Sequence, residues 1–150
     1  MTTAATTAST LDDRQEITDL VSRLGVALDE GRFDDLGALL VADATARTPG
    51  GEAQGRDALV AQAGRNHRAD QPIQHLITNL LVDIDGGGDR AQARANLVVH
   101  FGPPDGPLGS PVTFTMGEVY RFGLRRTADG WRFSRIETTP VWTVGDRPVR

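Results

Sequence analysis

Three side chains in this sequence stand where the surrounding pattern favours something else, and all three can carry a proton. His75 lies in a β-branched run and shares a period-two face with Ile73, Ile77, Asn79 and Leu81. Asp29 closes a helical stretch, about 120° from the centre of that helix's apolar stripe. Acid there is disfavoured by the helix dipole, by roughly 0.3–1 kcal/mol. Glu118 interrupts the face formed by Phe114, Met116, Tyr120 and Phe122. A carboxylate taken out of water must be paired or protonated. Each has a plainer explanation: a core histidine bonded to a backbone carbonyl, a solvated helix-end acid, and a face left open at position 118. His67 sits in a polar helix end, and His100 shares its face with Asn96 and Arg94. No HxH or HExxH spacing occurs, so no metal site is expected.

The chemistry open to such residues is proton transfer. A carboxylate that accepts one imidazole N–H fixes the tautomer and stabilises the imidazolium, leaving the other nitrogen as a base. That arrangement needs a helix end and a strand brought together. Ile17, Leu20, Val21, Leu24 and Leu28 repeat at helical spacing, which predicts a first helix over about 11–30, with Thr10 as N-cap and Gly31 as the stop. A short second helix fits 33–40, a short strand 42–48, a turn 49–51, and a third helix from Gly55 to about His67.

The second half reads as strands. They run over 73–83, 91–101, 111–126 and 131–138, and Asp85-Gly-Gly-Gly-Asp89 and Ala128-Asp-Gly130 turn the chain between them. Helices first and strands after predict an α+β domain. A long antiparallel sheet covered by helices leaves room for a small-molecule pocket. Residues 1–9 read as a flexible tail, 10–143 as the domain and 144–150 as a C-terminal tail.

Composition narrows the partners. The chain has 150 residues, a net charge of -4, 39% hydrophobic residues and no cysteine. Disulfides, thiolate nucleophiles and Cys-ligated zinc are excluded. No basic run offers the phosphate-neutralising surface of a nucleic-acid binder, and no apolar run reaches the ~20 residues of a membrane span. The polar N-terminus lacks the basic start and apolar core of a signal peptide, so a cytoplasmic protein is expected.

The motifs in order are Gly55-Arg56-Asp57-Ala58-Leu59, His75-Leu-Ile-Thr-Asn79-Leu, Gly117…Tyr120…Arg126 and Gly130-Trp131-Arg132…Arg135…Trp142. Over about residues 11–142 this order resembles the SnoaL-like branch of the nuclear transport factor 2-like superfamily. The resemblance implies a cone-shaped barrel: a curved antiparallel sheet with the N-terminal helices on its concave face, in a homodimer or higher oligomer. Family members include scytalone dehydratase, hexachlorocyclohexane dehydrochlorinase, polyketide cyclases, epoxide hydrolases and non-catalytic proteins. In the dehydratase and the dehydrochlorinase a strand histidine pairs with an aspartate at the end of helix one. Gln74-His75-Leu76 and Ala27-Leu28-Asp29 match those places. Arg32-Phe33-Asp34 departs from the family's Asp-Trp-Asp. The dehydratase's second histidine has no equivalent; Asn96 lies near its place.

The expected function is therefore that of a cofactor-free acid–base enzyme of lyase, isomerase or cyclase type, with Asp29 and His75 as the catalytic pair. Its substrate is expected to be small, largely apolar and polyketide-like. Asn79, Tyr120 and Trp142 are the expected binding residues: Asn79 shares the face of His75, Tyr120 donates to a developing oxyanion, and Trp142 closes the rim. Arg135 stands as a binder of either a substrate or a structural carboxylate. A non-catalytic binding module on the same fold is the alternative, and epoxide opening, with an aspartate activating water, is a third.

Overall fold

The computed structural model describes residues 10–147 in full, together with the backbone of 2–9. The expected tail at 1–9 lies outside the fully described residues, as does the end of the expected C-terminal tail beyond Arg147. Helix α1 is Thr2–Asp29, so Thr10 lies within it rather than capping it. Its inner face is the expected stripe: Ile17, Leu20, Val21, Leu24 and Leu28 are all buried. The helix stops in a Schellman turn. Gly31 takes φ 66°, its N–H reaches Leu28 O, and Arg32 N–H reaches Ala27 O. That stop makes Asp29 the last helical residue.

Helix α2 (Phe33–Leu36) is shorter than expected and gives way to a 3-10 turn at Gly37–Leu39. Strands β1 (Leu40–Thr48) and β2 (Gly51–Gln54) form a hairpin, and β2 stands where only a turn was expected. Helix α3 is Arg56–Asn66. Four long strands follow: β3 (Ile73–Ile84), β4 (Arg90–Phe101), β5 (Phe114–Thr127) and β6 (Gly130–Gly145). Strand β6 continues well past the expected end at Thr138.

These strands make one six-stranded sheet in the order β2-β1-β6-β5-β4-β3. This corrects the expected barrel in two respects. The sheet is mixed rather than antiparallel, because β1 runs parallel to β6. It is also neither closed nor curled into a cone. Closure needs its two edges to pair, and β2 and β3 do not pair among the described residues. One edge strand is only four residues long, and α1 packs against the other. The α+β class and the helical layer on one sheet face stand.

The inner face is set by alternation. Ala91, Ala93, Ala95, Leu97, Val99 and Phe101 of β4 are all buried. The even residues of β5 from Phe114 to Leu124 continue that face. Trp131, Phe122 and Phe133 are wholly buried. Burying a side chain of the phenylalanine size contributes about 1.5–3 kcal/mol.

Polar groups tie α1 to this end of the sheet. Asp13 accepts from Trp131 Nε1 at 3.0 Å and from Arg126 at 2.6 Å, and Glu16 accepts from Trp131 N–H at 2.8 Å. The Arg126 guanidinium holds the Asp13 carboxyl below its usual range.

Bulges reset the alternation in β3 and β6. In β3, Thr78 pairs with Asn96 and Leu81 with Arg94, so two residues oppose one. In β6, extra residues fall at Ser134 and at Val141. Among the described residues no helix is long and apolar enough to cross a membrane.

Candidate functional site

The end of α1 meets the start of β3 because the two backbones approach closely. Gly25 makes this possible: a β-carbon there would sit 3.2 Å from Ile77 Cδ1 and 3.9 Å from His75 Cβ. One turn further on, Asp29 reaches His75. Its Oδ1 accepts the backbone N–H of His75 at 2.8 Å and the ring Nδ1 at 2.6 Å. Neither alternative for this pair, a backbone-bonded histidine or a wholly solvated acid, describes it. The His75 side chain is 3% exposed and that of Asp29 22%. With Nδ1–H committed to the carboxylate, Nε2 is the ring nitrogen left for proton transfer.

His75 lines a cavity between the helices and the sheet. The cavity has a volume of about 120 Å³. Leu24 and Leu28 of α1, Leu59 and Ala63 of α3, Leu97 and Val99 of β4 and Met116 of β5 give it apolar walls. His67, Glu118, Tyr120, Thr138 and Arg147 bring polar groups to the same space. Tyr120 is buried beside Phe122, with ring centroids 4.8 Å apart. Burial pushes its phenol well above the usual range, so it is a neutral O–H.

Two further polar residues stand on this wall. His67 lies 5.4 Å from His75, ring to ring, and packs on Phe33 from the other side. Its Nδ1 donates to Ala63 O at 3.1 Å. Burial, then the neighbouring His75, lower its pKa to about 4, so it is neutral at pH 7. Its place at the end of α3 offered no spacing signal. Glu118 does carry a signal, a carboxyl inside an aromatic face, and that face is closed here: the residue is 9% exposed. Burial raises its pKa. Its Oε1 has no hydrogen-bond partner among the described residues.

Asn79 and Trp142 are placed elsewhere. Asn79 sits in the β3 bulge at φ 54°, a conformation that Asn tolerates, and is exposed. The bulge moves the inward positions from Ile77 to Leu80 and Val82 and leaves Leu81 66% exposed. The Val141 bulge does the same in β6. It puts Trp142 opposite Gly117, on the face away from the cavity, with its indole over that glycine. A β-carbon at Gly117 would clash with the indole ring. Neither residue lines the cavity. Arg135 lies 3.7 Å from Glu137, outside the cavity. His100 pairs with Thr115 at 2.9 Å on the outer face. Among the described residues no group of three or more His, Asp or Glu is arranged to hold a metal ion.

A family model for the SnoaL-like domain matches residues 9–137. No curated protein matches the chain significantly. Solved structures do. A nuclear transport factor 2-like protein with a cystatin-like fold from Novosphingobium aromaticivorans is 30% identical. The match covers 94% of this chain and 90% of that one, with a TM-score of 0.77. A candidate scytalone dehydratase from the same organism is 22% identical over 96% and 93%, with a TM-score of 0.79. A hexachlorocyclohexane dehydrochlorinase is 18% identical over 93% and 92%, with a TM-score of 0.78. The last two likenesses are of fold.

Proposed function

The chain belongs to the SnoaL-like domain family, and on that premise we propose that it is an acid–base enzyme in which His75 takes a proton from carbon. The observation that carries this reading is the 2.6 Å contact between Asp29 Oδ1 and His75 Nδ1, on the wall of an apolar cavity. His75 Nε2 removes a proton next to a carbonyl or a leaving group. Asp29 is the positioning residue: it orients the ring and stabilises the imidazolium. The neutral Tyr120 hydroxyl donates to charge developing on a substrate oxygen. Base catalysis of this kind supplies about 10²–10⁴-fold. The leucine-, valine- and methionine-lined walls exclude water and favour a small, largely apolar substrate of the polyketide-like kind. The family, together with the dehydratase and dehydrochlorinase likeness in fold, points to lyase, isomerase or cyclase chemistry that needs no cofactor.

Epoxide opening fits less well, because Asp29 Oδ1 already accepts two N–H groups. The same reading includes a cytoplasmic setting and a homodimer or higher oligomer. The exposed outer-face residues Leu76, Val141, Trp142 and Val144 support such an assembly.

The test is turnover of a panel of enolisable and eliminable aryl ketones by the wild-type protein and by His75→Ala. Activity in the wild type that falls at least about 10²-fold in a folded His75→Ala protein supports the reading. Equal activity in the two proteins removes it. Binding without turnover by either protein leaves a non-catalytic module in its place.

A further inference from the structure

Glu118 has no part in the Asp29–His75 pair, yet it shares their cavity. Pairing across the sheet locates it. His75 stands opposite Val99, and Val99 opposite Met116; one step along, Ile77 stands opposite Leu97, and Leu97 opposite Glu118. Glu118 is therefore two strands across from His75 and two residues along. Two interstrand spacings are ~9.6 Å and two residues of strand ~6.7 Å, which sets the α-carbons about 12 Å apart. Both side chains project from the same sheet face, and the floor between them is Leu97 and Val99. The space between imidazole and carboxyl is thus apolar below and open to a bound molecule.

One oxygen of the carboxyl has no visible part in the fold among the described residues. Its Oε1 is buried without a hydrogen-bond partner among the described residues. The Thr138 hydroxyl lies alongside and opposes the rise in the carboxyl's pKa. Leaving a buried polar atom unpaired costs about 1–3 kcal/mol, so a position that keeps one invites a use in binding or chemistry. Burial raises the pKa of this carboxyl, and a carboxyl that holds its proton is an O–H donor. The charged and titratable groups near it are His75, Arg147 and Tyr120.

We propose that Glu118 is a second catalytic residue, the general acid that protonates an oxygen leaving group while His75 removes a proton from the neighbouring carbon. This rests on the reading of His75 as the base. The step balances without any oxidant or reductant. The C–H bond breaks, its proton goes to His75 Nε2, and its electron pair becomes the new C=C bond. The C–O bond on the next carbon breaks, and the departing oxygen leaves with the proton from Glu118. Imidazolium and carboxylate remain, and transfer of one proton from the first to the second restores the resting state. The acid defines the leaving group. Oxygen needs the proton, whereas chloride leaves without it.

The experiment compares two aryl ketones of one skeleton, carrying hydroxyl or chloride on the β-carbon, in wild type, Glu118→Gln and His75→Ala. The expected result is that Glu118→Gln loses at least about tenfold more rate on the hydroxyl compound than on the chloride. His75→Ala should lose rate on both. Equal losses in Glu118→Gln, or wild-type turnover of the chloride compound alone, overturn the acid assignment. No turnover of either compound by the wild type sinks the reading of His75 instead. An independent measurement then decides for Glu118: the infrared carbonyl stretch of a protonated carboxyl at neutral pH. It should be present in the wild type and missing from Glu118→Gln. Its absence from the wild type overturns the proposal whatever the kinetics show.

Discussion

One oxygen of Asp29 holds both N–H groups of His75, the backbone amide at 2.8 Å and the ring at 2.6 Å. The carboxylate therefore does two jobs from two elements. It closes the gap between the last turn of α1 and the beginning of β3, and it commits Nδ1 as a donor so that Nε2 is left free. Hydrogen bonds to a charged group contribute about 1.5–3 kcal/mol each. The helix-dipole penalty at this helix end is smaller than either bond, which explains why an acid is stable there.

Asp29→Asn separates those jobs. The amide oxygen can still accept both N–H groups, so the fold and the cavity should persist. What it lacks is the negative charge beside an imidazolium. The expected outcome is a kcat lower by about 10²-fold or more, with KM within roughly threefold of wild type. Steady-state kinetics at pH 7 with circular dichroism on the same samples check it. A variant that loses KM and structure together would show that Asp29 is a fold residue alone.

His67 makes stability depend on pH. Its folded pKa of about 4 lies below the 6.5 of the free side chain. Between those values the unfolded chain binds a proton that the folded chain does not, so stability falls as pH drops from about 6.5 to 4. The upper limit of that loss is about 3 kcal/mol. His67→Phe keeps the packing between Phe33 and His75, and Ala63 O keeps the backbone N–H of residue 67. Urea denaturation at pH 7 and pH 4.5 should show a smaller drop in the variant. An equal drop in both proteins would rule out His67 as the source.

Gly25 sets how closely α1 approaches β3. Even one added carbon would press on Ile77 at 3.2 Å. Gly25→Val adds two more and should cost about 1–3 kcal/mol through overpacking. It should also lower kcat, because the displaced strand is the one that carries His75. Thermal unfolding and turnover of the same protein test both effects. Full activity at reduced stability would mean that the Asp29–His75 contact tolerates the shift.

Much of this site is written in local pattern. The period-3.6 stripe of α1 and the Gly31 stop put an acid at the helix end. The period-two pattern of β3 puts His75 on the inner face, and that of β5 puts Tyr120 and Glu118 there. Such periodicities depend only on the geometry of one element, so one chain suffices to read them. Asn79, Trp142 and the barrel depend on pairing between elements. A bulge is one extra residue relative to a partner strand, and it reverses every inward and outward position beyond it. The bulges at Thr78/Leu81 and at Val141 did this to both residues. Whether the sheet closes was decided by the parallel β1–β6 pairing and the short edge strand β2. The lowered pKa of His67 and the raised pKa of Glu118 were decided by burial, which belongs to no segment of sequence until the helices cover the sheet.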